Sequence, residues 1–327
     1  MNQSTHGEVS YFGKIPARGD FVRHGSQHQL IAWLDRWAGE GLELMSQVPQ
    51  WKQHYDNASA GHFAFIGTRN KTALCGHIRP SHDSSGRRFP LLAATRLDVT
   101  EPLSFLARSA LIMQPTWGQL ARLMALACTQ ENAEATLMQL AGAHLDIATS
   151  PSAYEAPYAA FLEQTSLGDL HMLLRDAGLP AVALKQLLPA LGLLLQPLLS
   201  GGDVAIDKAL AFPLPRDPAY RYQVAAFWLD LLAGFVARAD LELSVLIAND
   251  NQRGMLVGFN GADRQILRAA MDPSSAEDFL IHIERAEWVE PYLAGDFNLS
   301  RLASYLDRSE LRLGSARKLF GETFLGA

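Results

Sequence analysis

Three β-type runs crowded into one stretch constrain this chain more than anything else in it: His62–Gly67, Thr72–Ile78 and Phe89–Leu97, separated by Arg69-Asn70-Lys71 and by Pro80 to Arg88. They are rich in aromatic, aliphatic and β-branched residues and bounded by Gly, Pro and polar clusters. A parallel crossover needs a dozen or more residues, so the first connection enforces antiparallel pairing, and the set reads as a meander. A fourth short run, Val9-Ser10-Tyr11-Phe12, stops at Gly13.

Such a sheet needs cover, and the sequence supplies it. Between Gln27 and Met45, Leu30, Trp33, Leu34, Trp37, Gly41, Leu44 and Met45 recur at helical spacing, which predicts an amphipathic helix whose tryptophans anchor a core. Pro102 to Ala143 reads as helical, Thr149 to Pro157 as a loop, and Ala159–Gln164, Leu167–Asp176 and Ala181–Leu199 as helices, the last stopped at Gly201-Gly202. After a proline-rich loop from Phe212 to Pro218, a helix over Tyr220–Ala239 is expected. A hairpin follows, Leu241–Ala248 with Gly254–Phe259, turning at Asn249 to Gln252. A helix over Ala262–Ala270, another from Ser274 to about Glu287 and a third over Leu299–Leu306 complete the expectation.

With 48% hydrophobic and 19% charged residues the chain has the composition of a folded globular protein. Lys plus Arg number 28 against 34 Asp plus Glu, a net charge of −6, which argues against nucleic acid or an anionic membrane as partner. The polar start at Met1 to Glu8 shows no secretory signal. The most apolar stretch, Leu187–Leu199, is interrupted by Pro189 and Pro197 and is too short to span a bilayer. Cys75 and Cys128 are unpaired in spacing, which suits a reducing compartment.

Catalytic signatures are absent: there is no nucleophile elbow, phosphate-binding loop, dinucleotide fingerprint or zinc-protease motif. His24 and His28 lie four apart but are separated by Gly25, and His77, His82 and Asp83 fall on a strand and a loop, so no metal or cofactor is expected. His77 reads as a satisfied structural histidine. Arg18-Gly19-Asp20 is the integrin-recognition tripeptide, too short to carry an adhesion role.

What remains are two compact loops, Gly13 to Phe21 and Pro80 to Pro90, in which Gly and Pro fix the backbone around Arg and Asp. Lys14, Arg18, Asp20, Phe21, Ser81, Asp83 and Arg87 are the candidate site residues, either bracing one another at the sheet end or forming an arginine-rich docking face. An enzyme using Ser81, His82 and Asp83 is the alternative from another class, and a structural subunit is a third.

On Tyr11-Phe12-Gly13-Lys14-Ile15-Pro16-Ala17-Arg18-Gly19-Asp20-Phe21-Val22, on the Trp33–Trp37 helix, and on Pro80-Ser81 with Asp83, Gly86-Arg87 and Phe89-Pro90-Leu91, the chain resembles the TagF family of type VI secretion-associated proteins. The likeness continues more loosely at Phe212 to Pro215, Ala226 to Leu229, and Leu243-Ser244-Val245 through Gly261 to Met271-Asp272-Pro273. Two departures stand out: a longer helical stretch over Pro151–Leu199, and Leu246-Ile247 where an aromatic pair is expected. The resemblance implies a mixed α/β sandwich, an α+β fold of longin-like or profilin-like kind with a largely antiparallel sheet flanked by helices. It implies a unit over residues 1–273, with a helical stretch at about 102–207, and a C-terminal helical extension over 274–327. It also implies a cytosolic, non-enzymatic regulator, a repressor of apparatus assembly acting after translation. The implied partner is a forkhead-associated-domain scaffold protein, with a kinase and phosphatase pair acting on the same decision.

Overall fold

A computed structural model describes residues 4–143, 145–179, 182–200, 206–249 and 254–326. The chain runs β1 (Ser4–Gly7), β2 (Ser10–Gly13), β3 (Val22–His24), α1 (His28–Met45), α2 (Trp51–Asp56), β4 (Gly61–Gly67), β5 (Thr72–Arg79), β6 (Leu91–Asp98), α3 (Pro102–Thr129) and α4 (Glu134–Ala141). Next come β7 (Leu145–Ala148), α5 (Ser152–Gln164), α6 (Leu167–Asp176), α7 (Leu184–Leu195), β8 (Ala209–Phe212), α8 (Pro218–Val236), β9 (Glu242–Ala248) and β10 (Met255–Gly258). The last elements are α9 (Arg264–Met271), β11 (Leu280–His282), α10 (Glu290–Gly295), α11 (Phe297–Leu306) and α12 (Leu313–Phe324).

Nine strands form one open sheet in the order β11-β8-β10-β9-β4-β5-β6-β2-β3, antiparallel throughout except for β11 beside β8. The expected meander is its centre: Phe63 faces Gly76 across β4 and β5, and Cys75 faces Thr95 across β5 and β6. Strand alternation then sorts the apolar residues onto two faces. Phe63, Phe65, Leu92 and Leu246 point to one side, under α1, α2 and α9. Ala64, Ile66, Cys75, Ala93 and Val245 point to the other, under α3, α8 and α12 among other helices. The result is a mixed α/β sandwich with helices on both sheet faces.

Trp37 is the anchor of the first face. It is 2% exposed, packs on Phe63 and Phe65 at 5.2 and 5.1 Å between ring centroids, and donates its indole N–H to the Asp263 carbonyl at 3.2 Å. Trp117 does the same work on the second face, donating to the Phe63 carbonyl at 3.2 Å.

Several elements differ from expectation. The stretch Thr149–Pro157 is not a loop throughout, since α5 begins at Ser152 and carries Pro157 within it. No helix runs from Ser274 to Glu287. Asp272 caps a single 3-10 turn over Pro273–Ala276, and Leu280 and Ile281 then add β11 parallel to β8. β1 pairs with β7 in a separate two-stranded sheet. Helix α12 places Leu313, Ala316 and Phe320 in the same core as α3 and α8. The β9–β10 hairpin pairs as expected, Met255 opposite Ile247. Its turn over residues 250–252 and the stop at Gly201-Gly202 lie outside the described residues. No helix among the described residues is long and apolar enough to cross a membrane.

Candidate functional site

The two motif loops meet at one end of the sheet because β2 and β6 are neighbours: Phe12 lies opposite Leu92, so the chain leaving β2 and the chain entering β6 emerge side by side. Gly13 makes this approach possible. Its φ is +143°, and a Cβ there would sit 2.1 Å from the Pro90 carbonyl oxygen, so only glycine fits. The second loop is a tight hairpin of its own. Asp83 and Arg87 close it through the Asp83 N–H to the Arg87 carbonyl at 3.1 Å, and Gly86, at φ +78°, turns the chain.

Asp83 is the hub of this end. Its carboxylate is fully buried, with Oδ2 accepting from Lys14 Nζ at 3.0 Å and Arg87 Nε at 2.7 Å, and Oδ1 accepting from the N–H groups of Ser85 at 3.0 Å and Arg87 at 2.9 Å. Burial alone would raise its pKa. The Lys14 ammonium, the Arg87 N–H and guanidinium, and the Ser85 N–H together reverse this and hold it well below the usual carboxylate range. Arg87 also reaches the first loop, donating Nη2 to the Gly19 carbonyl at 2.7 Å, and the Ser84 N–H donates to the Arg18 carbonyl at 2.9 Å.

The structure therefore joins Lys14, Asp83 and Arg87 in one brace and leaves the other candidates outside it. The Arg18 side chain, half exposed, points instead to Glu134 on α4 at 3.9 Å. Asp20 accepts from the Phe21 N–H beside it at 2.8 Å. Phe21, 41% exposed, stacks on Phe12 and meets Phe89 edge-on, both at 5.0 Å, with Lys14 Nζ 4.9 Å from its ring centre. Arg18, Asp20 and Phe21 thus line the outer side of the loop, and Met138, 69% exposed, stands one helical turn after Glu134, the partner of Arg18.

Ser81, His82 and Asp83 do not form a relay. The His82 Nδ1 lies 2.9 Å from the Asp83 backbone carbonyl, and Ser81 Oγ lies 3.6 Å from Cys128 Sγ. Burial pushes the Cys128 thiol up, away from thiolate chemistry. Among the described residues no group of three or more His, Cys, Asp or Glu could hold a metal ion.

Sequence reasoning missed α2, which ties the second loop to the rest of the molecule. Tyr55, buried, donates to the Ser81 carbonyl at 2.9 Å and accepts from the Ser81 N–H at 3.0 Å. Asp56 takes both Nε and Nη2 of Arg88, at 2.7 and 2.5 Å. On its other side His54 contacts Asp272 at 2.6 Å, at the rim of an apolar cavity of about 630 Å³ walled by Leu246, Leu256, Leu267 and Met271. The polar run Lys52 to Asn57 held the signal, but nothing in it named these partners.

Residues 10–143 match the model of the TagF N-terminal domain, described as type VI secretion system-associated. The chain carries a TagF N-terminal domain. Both motif loops, α2 and the β4–β6 meander lie inside the matched TagF region, whereas β8 to β11 lie beyond it. The crystal structure of PA0076 from Pseudomonas aeruginosa PAO1 is similar at 25% sequence identity with a TM-score of 0.36, covering 42% of this chain and 64% of that one, less than two thirds of its length. No curated protein matches the chain.

Proposed function

We propose that this type VI secretion-associated protein is a regulator acting after translation, a repressor that restrains assembly of the apparatus by binding a partner and not by catalysis. The observation that supports this is the fate of Asp83. The most chemically promising carboxylate of the motif loops is buried and committed to Lys14 and Arg87, so these loops offer solvent a fixed shape and not a reactive group. The outward residues Arg18 and Phe21, and Met138 one helical turn beyond Arg18's partner Glu134, are of the types that carry binding energy at interfaces.

The partner is a forkhead-associated-domain scaffold protein, as the resemblance implies, and a kinase and phosphatase pair acts on the same decision. The protein works in the cytoplasm, without cofactor, nucleic acid or metal.

Arg18→Glu combined with Met138→Ala tests the face. Both side chains are exposed, and an exposed ion pair at 3.9 Å contributes little, so the melting temperature is expected to stay unchanged. Co-precipitation with the scaffold protein is expected to vanish; retained binding would remove this face from the interface. Arg87 is unsuited to the test because it holds Asp83. Deleting the gene is expected to raise secretion of the tube protein into the medium. Unchanged or reduced secretion refutes the repressor, and stoichiometric co-purification with sheath or baseplate makes the chain a structural subunit.

A further inference from the structure

The apolar cavity of about 630 Å³ beside α2 falls within the size range of small-molecule sites, about 300 to 1,000 Å³. Short elements open it. Strands β8, β10 and β11 are only three or four residues long, and α9, which roofs this face of the sheet, ends after eight residues at Met271. Ala211, Leu256 and Leu246 lie in one row across β8, β10 and β9 and form the floor, while Leu267 and Met271 wall it from α9. β10 is flanked by a strand on each side, yet Leu256 is only half-buried, because its side of the sheet faces the cavity.

The polar groups of the lining select the occupant. Neither lysine nor arginine is among the described residues that line the cavity, and its two carboxylates are already engaged. Asp272 Oδ2 lies 2.6 Å from His54 Nδ1, while Oδ1 accepts from the Ser274 hydroxyl at 2.6 Å and the Ser275 N–H at 3.3 Å. Glu284 Oε1 lies 3.2 Å from His282 Nδ1. An anionic ligand would meet two carboxylates and no lysine or arginine, and a cationic one would have to break these pairs; an uncharged ligand costs neither. His54, bonded to a carboxylate through Nδ1, carries its proton there in the neutral form, which leaves Nε2 as a hydrogen-bond acceptor. A hydroxyl group satisfies that acceptor.

We infer that this cavity binds an uncharged, largely aliphatic small molecule whose hydroxyl end lies against His54. The site is separate from the motif-loop face and stands or falls independently of the regulatory reading.

The probe is diphenylhexatriene, an uncharged hydrocarbon whose fluorescence rises in apolar surroundings, titrated into the full chain and then competed with decanol, decanoate or decylamine. Saturable binding of one probe per chain is expected, with decanol displacing it at about one tenth of the concentration that either charged analogue needs. Leu256→Trp fills the space above β10 and is expected to abolish the signal, with circular dichroism checking the fold. Should that variant not fold, the competition series in the wild type decides alone. His54→Phe keeps a planar ring and removes the acceptor, so the decanol needed for displacement is expected to rise several-fold. Absence of saturable probe binding, displacement by decanoate or decylamine at or below the decanol concentration, or unchanged probe binding in folded Leu256→Trp overturns the inference. Decanol competition unchanged in His54→Phe overturns the hydroxyl end. A dimer that the probe dissociates and Leu256→Trp abolishes makes a second copy the occupant, and that overturns the small molecule.

Discussion

The histidines His62 and His77 make stability depend on pH near neutrality. They face each other across β4 and β5 with their Nδ1 atoms 3.0 Å apart, at 2% and 0% exposure, and His62 stacks on Trp117 at 5.3 Å. His77 Nε2 has no hydrogen-bond partner among the described residues, so the expectation of a satisfied structural histidine is only half met. The charges facing the pair are both cationic, Arg221 from α8 and Arg79 from β5 itself, with Tyr222 stacked obliquely on His62. Burial first and Arg221 second press the His62 pKa down to about 3, against an Asn249 hydrogen bond that raises it. Burial, His62 and Arg79 hold His77 well below its ordinary value.

Both rings are therefore neutral in the native state, while the unfolded chain protonates them around 6.5. The unfolded state binds more protons as pH falls through that value, so stability is full above about pH 7 and lost on acidification below it. For a ring that stays neutral when folded, acidifying from about pH 7.5 to about pH 5 removes about 2 kcal/mol, and two rings remove about 4 kcal/mol. For a chain of this length that is a fall of about 6 °C in Tm. Asp83 and Asp272, whose pKa values are depressed, lose their contribution only below the ordinary carboxylate range, so the two windows separate. Urea unfolding at a series of pH values measures the slope. His77→Leu is expected to halve it whatever it does to stability at pH 7.5, because one proton site is gone. A slope unchanged in that variant, or flat stability in the wild type down to pH 5, would refute the reasoning.

Gly13→Ala is expected to cost at least about 3 kcal/mol, since the added carbon meets backbone and not a movable side chain, and chemical denaturation reads it directly. Asp230→Ala strips the shared partner of Arg108, Tyr158 and Arg317 and leaves the buried Arg108 guanidinium with the half-exposed Glu155 as its remaining carboxylate. A loss of about 3 to 5 kcal/mol is expected, with earlier proteolysis of α12 through its freed Arg317. Trp117→Phe removes the bond to the Phe63 carbonyl and part of a fully buried ring stacked on His62, so a loss of about 2 to 3 kcal/mol in urea titration is expected.

What the sequence revealed followed from period and length. Helix α1 shows a full apolar stripe over its eighteen residues, and β4 to β6 are seven or eight residues each, near-continuous apolar runs bounded by turn residues, enough for pattern to outweigh noise. The strands it hid are three or four residues long. β8 runs straight into Pro213, and β11 exists because the β8 edge supplies its ladder, a tertiary cause with no local trace. At the site, Gly, Pro, Arg and Asp marked the loops, and the Asp83–Arg87 brace was within reach because both ends lie in one hairpin. The Lys14 contact spans 69 residues, and which of Arg18, Asp20 and Lys14 would turn inward depends on loop geometry that residue types do not specify.

The sheet ties the TagF-matched region to the rest of the chain. β4, inside the match, pairs with β9, far outside it, over seven consecutive positions from Gly61 opposite Ala248 to Gly67 opposite Glu242. Thr68 extends the seam, giving its N–H to the Leu241 carbonyl at 2.8 Å and its hydroxyl to the Ala239 carbonyl at 2.7 Å. An isolated N-terminal half would bare this long edge and the face of α3 that α8 covers, a state prone to wrong pairing. Residues beyond the match complete the body that the early loops belong to: Phe212 closes β8, Val245 lies in β9 opposite Ala64, and Asp272 meets His54 on α2. Helix α2 carries Tyr55 and Asp56 to the motif loop on one side and His54 to Asp272 on the other. The motif-loop face is consequently tied to residues more than two hundred positions away in sequence.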